Sequence, residues 1–521
     1  MQLAPLLLCS TGVTLKLRFL LAVCSLLLAS VSLSSAAPAP VLPESPPGRI
    51  AEKLLAAVNG SDPSATDQFI ADYIVEEPWN RMTPEKYRSL LARLREQSGD
   101  LRVERIMMAD DRNLRLMVAS AKAGKKVGLE IVLPRKESAR AGLWVHHFPA
   151  KPPSALPKQI MDEPAQVAAV EKHLDECARA GIHSGAVLLA KGDTVLLHKA
   201  WGLAHSISNA PNLTNMAYGT ASVGKMFTAV AIAQLHQAHK IEYTDTVAQH
   251  LPDYPNKEVA QKVQVRHLLA HTGGLGDPFD SPKLANSKNY KQQADYFETF
   301  AEKPPAFEPG ARHEYSNGGY IVLAAIVEKI SGLRFAEYVR KNIFEPAAMR
   351  VTGLTTASRT LPVSVPHAVT VLDDPLGLKG PQPKFTAKGL QDGAGMGGWT
   401  STTDDLFKFA RALRTDKLLD ATHTADITSG KVAFIPPPMD VKYCYGFYEM
   451  PIGQDRMVGH SGGGGDSGVG AEVEMLWNSQ HTIVVLSNRG LEEARRTAHD
   501  IARFLVFQHE QRTDGGLTSA R

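Results

Sequence analysis

The sequence predicts an α/β protein in which a large layered domain follows a small α+β domain. Three observations predict it. Two strand pairs, 185–190 with 194–200 and 469–477 with 481–487, stand at opposite ends of the stretch 165–510. Apolar helical runs fill the middle of that stretch, so strands from both ends are expected to share one sheet packed against helices. Upstream, residues 49–149 set three helical runs ahead of four strand-like runs, the order of an α+β unit.

The elements follow in chain order. Lys16 and Arg18 precede an apolar run over 19–33, and Ser34, Ser35, Ala36 and Ala37 come next. A positive stretch, a short apolar stretch and small residues describe an export signal over 1–36, cut after Ala36. The apolar run is shorter than the ~20 residues of a membrane span, so membrane contact is expected only if the signal stays uncleaved. Val23, not a small residue, precedes Cys24, which argues against a lipoprotein signal. Export implies a periplasmic or secreted protein. Residues 37–48 (APAPVLPESPPG) are Pro-rich and read as a linker.

Within 49–149, Ile50, Leu54, Leu55 and Val58 recur at helical spacing, and a second helical run covers 66–74. A third starts at Thr83-Pro84-Glu85, with Tyr87, Leu90, Leu91 and Leu94 on one face. Strands are expected at 101–108, 113–121, 126–133 and 143–148, separated by short polar turns as in a meander. In outline this unit resembles the cone-shaped nuclear-transport-factor-2-like folds. The resemblance is one of shape, carries no motif, and implies an accessory domain. Residues 150–164 form a second Pro-rich linker. A helix over 165–180 opens the large domain, a helix over 492–507 closes it, and 511–521 reads as a flexible tail.

Composition bounds the function. The 521 residues leave room for several domains and an ample core. Apolar residues make up 44% and charged residues 21%, an ordinary globular balance. The formal net charge of +3 excludes a strongly basic nucleic-acid binder and a strongly acidic tail protein. Cysteines stand only at 9, 24, 177 and 444, too few for a disulfide scaffold and without the spacing of a zinc site. Cleavage of the signal leaves Cys177 and Cys444. They are free to pair only if the fold brings their Cα atoms close.

Three short stretches carry chemistry. Ser222-Val223-Gly224-Lys225 opens an apolar helical run over 226–235. Positions i and i+3 share a helix face, so the Lys225 ammonium is expected beside the Ser222 hydroxyl. A serine in the first turn has backbone N–H groups and the positive dipole end aimed at whatever it attacks. Burial would favour a neutral lysine, able to take the serine proton.

Tyr315-Ser316-Asn317 is the second stretch. It follows the turn Phe307-Glu308-Pro309-Gly310 and precedes an apolar helix over 320–330. A phenol next to a lysine can shuttle a proton to a leaving group, and a neighbouring cation is expected to lower its pKa. Asn317 can donate to a substrate amide and accept from a lysine.

Gly459-His460-Ser461-Gly462, continued by glycines to Gly465, is the third. Glycines let a backbone approach a substrate closely, and the Gly463 N–H is expected to complete an oxyanion hole with that of Ser222. A phosphate-binding loop is the rival reading. It needs a Lys-Ser or Lys-Thr closing the run and a helix after it, and has neither.

Taken in order, Ser-x-x-Lys, Tyr-x-Asn and His-x-Gly resemble the penicillin-recognising serine hydrolases: class C β-lactamases, D-peptidases and the esterases of β-lactamase fold. Further stretches are similar to that family: Val265 through Leu275 (VRHLLAHTGGL), Gly397 through Leu406 (GGWTSTTDDL) and Tyr445-Gly446-Phe447. The resemblance covers 165 to about 510. It implies a β-lactamase-like domain, an antiparallel sheet flanked by helices plus an all-α region.

The resemblance also implies residue roles. Ser222 is the nucleophile, Lys225 its proton-handling partner and Tyr315 the general base and acid. The N–H groups of Ser222 and Gly463 are the oxyanion donors. Asn317 is a substrate or lysine contact, and His460, Ser461 and Gly462 are expected substrate contacts. It implies no cofactor, no metal and no nucleic acid, only a small-molecule ester, amide or peptide substrate. His460 departs from the family pattern, because β-lactamases and D,D-peptidases usually carry lysine there. Histidine is mostly neutral at pH 7, which shifts weight from a β-lactam carboxylate toward esters and amides. The alternatives are a β-lactamase or D,D-carboxypeptidase on wall-related substrates, and a sensor that is acylated without turning over.

Two pairs tempt other readings. His267 and His271 are spaced for a metal, but no glutamate completes a zinc-protease pattern between them. Asp404-Asp405 reads as the capping start of a helix over 406–413 rather than as a catalytic pair.

Overall fold

The structure is a computed structural model. It describes residues 40–74, 84–109, 111–133, 142–147, 154–205, 208–353, 363–364, 367–368, 382–383, 394–435, 439–463 and 467–518. The expected export signal, residues 150–153, most of 361–391 and Gly464–Gly465 lie outside the described residues.

The described chain divides into two compact units. One takes in residues up to Pro84 together with Ser98–Val145, and the other Glu85–Gln97 together with the residues from His146 onward. Within helix Pro84–Ser98, residues Glu85–Gln97 are grouped with the larger unit and the two end residues with the smaller one.

In the smaller unit, helices Pro46–Asn59 and Ser64–Tyr73 precede a four-stranded sheet in chain order, Leu101–Ala109, Asn113–Ser120, Lys126–Val132 and Gly142–His147, whose first three strands pair antiparallel. Ile50, Leu54 and Val58 bury one helix face, and Leu114, Leu116 and Val118 bury alternate positions of a strand.

Both Pro-rich linkers end earlier than expected, and for one reason. Pro46 and Pro47 stand in the first turn of their helix. Pro164 likewise stands in the first turn of helix Glu163–Arg179, capped by Asp162 through a 2.9 Å bond from Ala165 N. A proline there loses no hydrogen bond and pre-sets φ, so these prolines start helices instead of extending linkers.

The larger unit is built on an eight-stranded antiparallel sheet. Its order is Val432–Ile435, Val441–Tyr443, Tyr448–Ile452, Asp455–Gly463, Gly470–Leu476, His481–Ser487, Gly185–Lys191, Thr194–Trp201. Strands from the two ends of the domain meet where His481–Ser487 pairs with Gly185–Lys191. Strands 470–476 and 481–487 and residues 185–190 are buried, because both sheet faces are covered. One face packs on helix Glu163–Arg179 and the terminal helix, through Val170, Leu174, Ile501 and Leu505. The other meets the helical layer holding Lys225–Gln237 and Asn317–Ser331.

Two further expectations are corrected here. The terminal helix runs Leu491–Thr518, so it continues through most of the stretch expected as a tail from 511. The helix Thr403–Arg414 is capped by Thr402, whose Oγ1 accepts from Asp405 N at 3.1 Å. Asp405 is instead a buried hub. Its carboxylate accepts from the backbone of Arg350, Val351 and Thr352.

Candidate active site

The short strand Tyr218–Ala221 delivers the chain to Ser222. Ala221 has φ 43° and ψ −127°, a conformation that costs a β-carbon residue strain. Antiparallel pairing of that strand with Trp399–Ser401 holds the bend, with Thr220 Oγ1 donating to Trp399 O at 2.9 Å. Ser222 starts a 3-10 turn, Ser222–Gly224, and the α-helix begins one residue later at Lys225. The expected first-turn serine thus sits just ahead of the helix.

Three segments converge on Lys225, which is fully buried. Its Nζ lies 3.2 Å from Ser222 Oγ, 2.7 Å from Asn317 Oδ1 and 2.8 Å from Met396 O. It also stands over the Tyr315 ring, 4.8 Å from the centroid. Ser222 acts on the Tyr315 hydroxyl, pulling its pKa down against the larger upward effect of burial. Ser316 sets this geometry as the cap of helix Asn317–Ser331, its Oγ accepting from Gly319 N at 3.1 Å. Asn317 therefore occupies the first helical position. Its Nδ2 donates to Asp277 Oδ2 at 2.8 Å while its Oδ1 faces the lysine.

The strand Asp455–Gly463 closes the other side. Its pairing with Tyr448–Ile452 ends at Gly459, while its pairing with Gly470–Leu476 continues to Gly463. The freed edge lies against the serine turn. A β-carbon at Gly462 would stand 2.0 Å from Thr220 O and 3.0 Å from Ser222 N, so only glycine allows the approach. Gly463 follows as the last residue of the strand.

The Beta-lactamase family model matches residues 167–508. The chain belongs to the β-lactamase family. It is a serine hydrolase, and the family and fold implied by the three motifs hold. It is 30% identical over 333 residues to penicillin-binding protein 4* of Bacillus subtilis, an alignment covering 59% of this chain and 68% of that one. It is 28% identical over 214 residues to a putative D-alanyl-D-alanine carboxypeptidase of Salmonella agona, and the match spans 50% of that relative's length. Among solved structures, a penicillin-binding protein from Bacillus halodurans aligns with TM-score 0.53 and 27% identity, over 63% of this chain and 97% of the other. D-amino acid amidase from Ochrobactrum anthropi shares the fold, with TM-score 0.57 and 23% identity over 68% of this chain and 100% of that one.

In this β-lactamase-family site, burial sets the charges. Desolvation lowers the Lys225 pKa to about 7, against a smaller upward pull from Asp277. A large share of the molecules therefore carry a free amine at neutral pH. Tyr315 departs from expectation. Its residue surface is 36% exposed, yet its hydroxyl end is desolvated, and that burial raises its pKa despite the opposing effect of Ser222. A half-neutralised lysine supplies too little positive charge to reverse this.

His460 is buried, and burial first, then Lys225, lowers its pKa to about 3. The imidazole is neutral, and its hydrogen bonds define its tautomer. Ser316 N donates to His271 Nδ1 at 3.1 Å, so the His271 proton is on Nε2, which lies 3.1 Å from Tyr443 Oη. Tyr443 accepts that proton's bond and donates its own to His460 Nε2 at 2.9 Å. His460 Nδ1 then donates to Ser461 O at 2.6 Å. Both His460 nitrogens are engaged, one by Tyr443 Oη and the other by Ser461 O of the edge strand.

The Ser461 hydroxyl lies 3.4 Å from Arg495 Nη2 of the terminal helix. His271, Tyr443 and Asp277 are the site residues that the motifs did not supply. Both His271 nitrogens are taken, which removes it from any metal pairing with His267. Cys177 and Cys444 are buried free thiols.

Proposed function

We propose that this serine hydrolase cleaves an ester or amide bond of a small molecule through an acyl-enzyme on Ser222. The observation that carries the reading is the 3.2 Å separation of Lys225 Nζ and Ser222 Oγ, with the Tyr315 ring centroid 4.8 Å from the same Nζ. The free amine of Lys225 takes the Ser222 proton as Oγ bonds to the substrate carbonyl carbon. The N–H groups of Ser222 and Gly463 hold the oxyanion. Collapse breaks the bond to the leaving group, which receives a proton from Tyr315, and Lys225 restores the phenol. Water then attacks the acyl carbon, its proton passes back along the same groups, and the acid departs. Tyr315 acts here as a relay, because burial keeps it protonated at rest.

The neutral His460 supports substrates without a carboxylate at that edge, such as D-amino-acid amides and short esters, over β-lactams. The names of the relatives, D-alanyl-D-alanine carboxypeptidase and D-amino acid amidase, favour the same bond types. The signal-like segment 1–36 and the wall-linked names of the relatives support work outside the cytoplasm. Among the described residues no helix is long and apolar enough to cross a membrane.

The test compares wild type with Ser222→Ala on a nitrophenyl ester, a D-amino-acid amide and a chromogenic cephalosporin, with intact-mass detection of the adduct. The alanine variant is expected to lose at least about 10³-fold in kcat and to form no adduct. Full turnover by Ser222→Ala defeats the reading. A stable adduct without turnover in the wild type supports the sensor alternative.

A further inference from the structure

A second cluster of reactive side chains lies behind the sheet. Glu472 and Glu474 alternate on strand Gly470–Leu476 and so share one face. The terminal helix adds His499 to them. Both glutamates are fully buried, and the His499 side chain is 14% exposed. Tyr448 Oη bonds to Oε1 of each glutamate. Glu472 Oε2, Glu474 Oε2 and His499 Nε2 remain buried without a hydrogen-bond partner. Gly459 faces this group across the strand pair, and a β-carbon there would stand 2.9 Å from Glu474 Oε2.

Burying two carboxylates is costly unless a cation compensates or a proton neutralises them. Arg495 is the nearby permanent cation, but its Nη2 reaches Ser461 Oγ and its Nη1 lies 3.9 Å from Glu492. Arg503 and Asp500, also on the terminal helix, act on His499 with opposite signs. A ligand atom from each of Glu472, Glu474 and His499 lies within 4.8 Å of the other two. His499 Nε2 is 3.4 Å from Glu474 Oε1 without the alignment of a hydrogen bond. Two ligands at about 2.0–2.1 Å from one tetrahedral ion are separated by about that much.

We infer that Glu472, Glu474 and His499 bind one divalent transition-metal ion, Zn²⁺ foremost, which ties the terminal helix to the sheet. Two carboxylates and one imidazole match its charge and its mixed oxygen and nitrogen preference. An all-oxygen Mg²⁺ or Ca²⁺ shell fits less well. The site is separate from the hydrolytic centre and revises the sequence expectation of no metal. The rival occupant is a proton shared by the two carboxyl groups.

The test uses the full untagged chain, stripped with a chelator, dialysed, and given Zn²⁺ alone. Titration calorimetry and elemental analysis are expected to find one Zn²⁺ per chain. Saturation is expected to raise Tm by about 3 °C. Ser222→Ala should bind equally, and His499→Gln at least about 10-fold more weakly. No stoichiometric Zn²⁺ and no Tm shift overturn the proposal in favour of the shared proton. Equal binding by His499→Gln also overturns it, by showing adsorption elsewhere. Glu472→Gln gives an independent reading, and should it fail to fold, the His499→Gln titration decides.

Discussion

Tyr443 Oη lies 2.9 Å from His460 Nε2, and this bond locks a buried, neutral imidazole into one tautomer. The other His460 nitrogen then grips Ser461 O, in the strand edge that flanks the nucleophile.

Tyr443→Phe leaves His271 and His460 each short of a buried partner. It should destabilise the chain by about 1–3 kcal/mol, read as a lower urea midpoint. An unchanged midpoint would show that the bond contributes nothing.

The rate should rise with pH. Lys225 must be deprotonated to accept the serine proton, and its folded pKa is about 7, so kcat/KM should climb through about pH 7. Stability moves the same way. Between about 7 and the ordinary 10.5 the unfolded chain holds a proton that the folded chain has lost. This group's share of stability therefore rises across that window and is lost as pH falls through the folded value. A flat rate profile from pH 6 to 8 would exclude Lys225 as the base.

Asp277→Asn keeps an acceptor for Asn317 but removes the charge that draws a proton onto Lys225. The rising limb should shift to lower pH, giving faster relative turnover at pH 6 than the wild type. A limb that stays in place would break the electrostatic link between the two residues.

Gly462→Ala pushes a methyl group into Thr220 O and the Ser222 turn. A shift of about 1 Å in the nucleophile should cost about 100-fold in kcat. Wild-type kinetics from this variant would mean that the strand edge can withdraw without harm.

Cys177 and Cys444 should react with a thiol reagent only after unfolding, and a reductant should leave Tm unchanged. A Tm drop on reduction would reveal a disulfide.

Much of the fold could be read from patterns local in the chain. The strand pairs at both ends of the large domain, the helix after Ser222 and the turn before Tyr315 all rest on short-range periodicity. The errors share a cause. Pro46, Pro47 and Pro164 were read as linker residues, because whether a proline starts a helix depends on what that helix packs against. The true caps Asp162, Ser316 and Thr402 differ little in type from neighbours that do not cap. Asp277 and Tyr443 were missed for another reason. Each bonds to a residue far along the chain, and no periodicity announces such a pair.

Residue order and chemistry alone put an amine one helical turn from an alcohol at Ser222 and Lys225, and named the family to which they belong. Charge was decided by the assembled interior. Lys225 comes down to about 7 and His460 to about 3 only because distant strands and helices exclude water from them. Desolvation is a property of everything packed around a group, and no stretch of sequence contains that on its own.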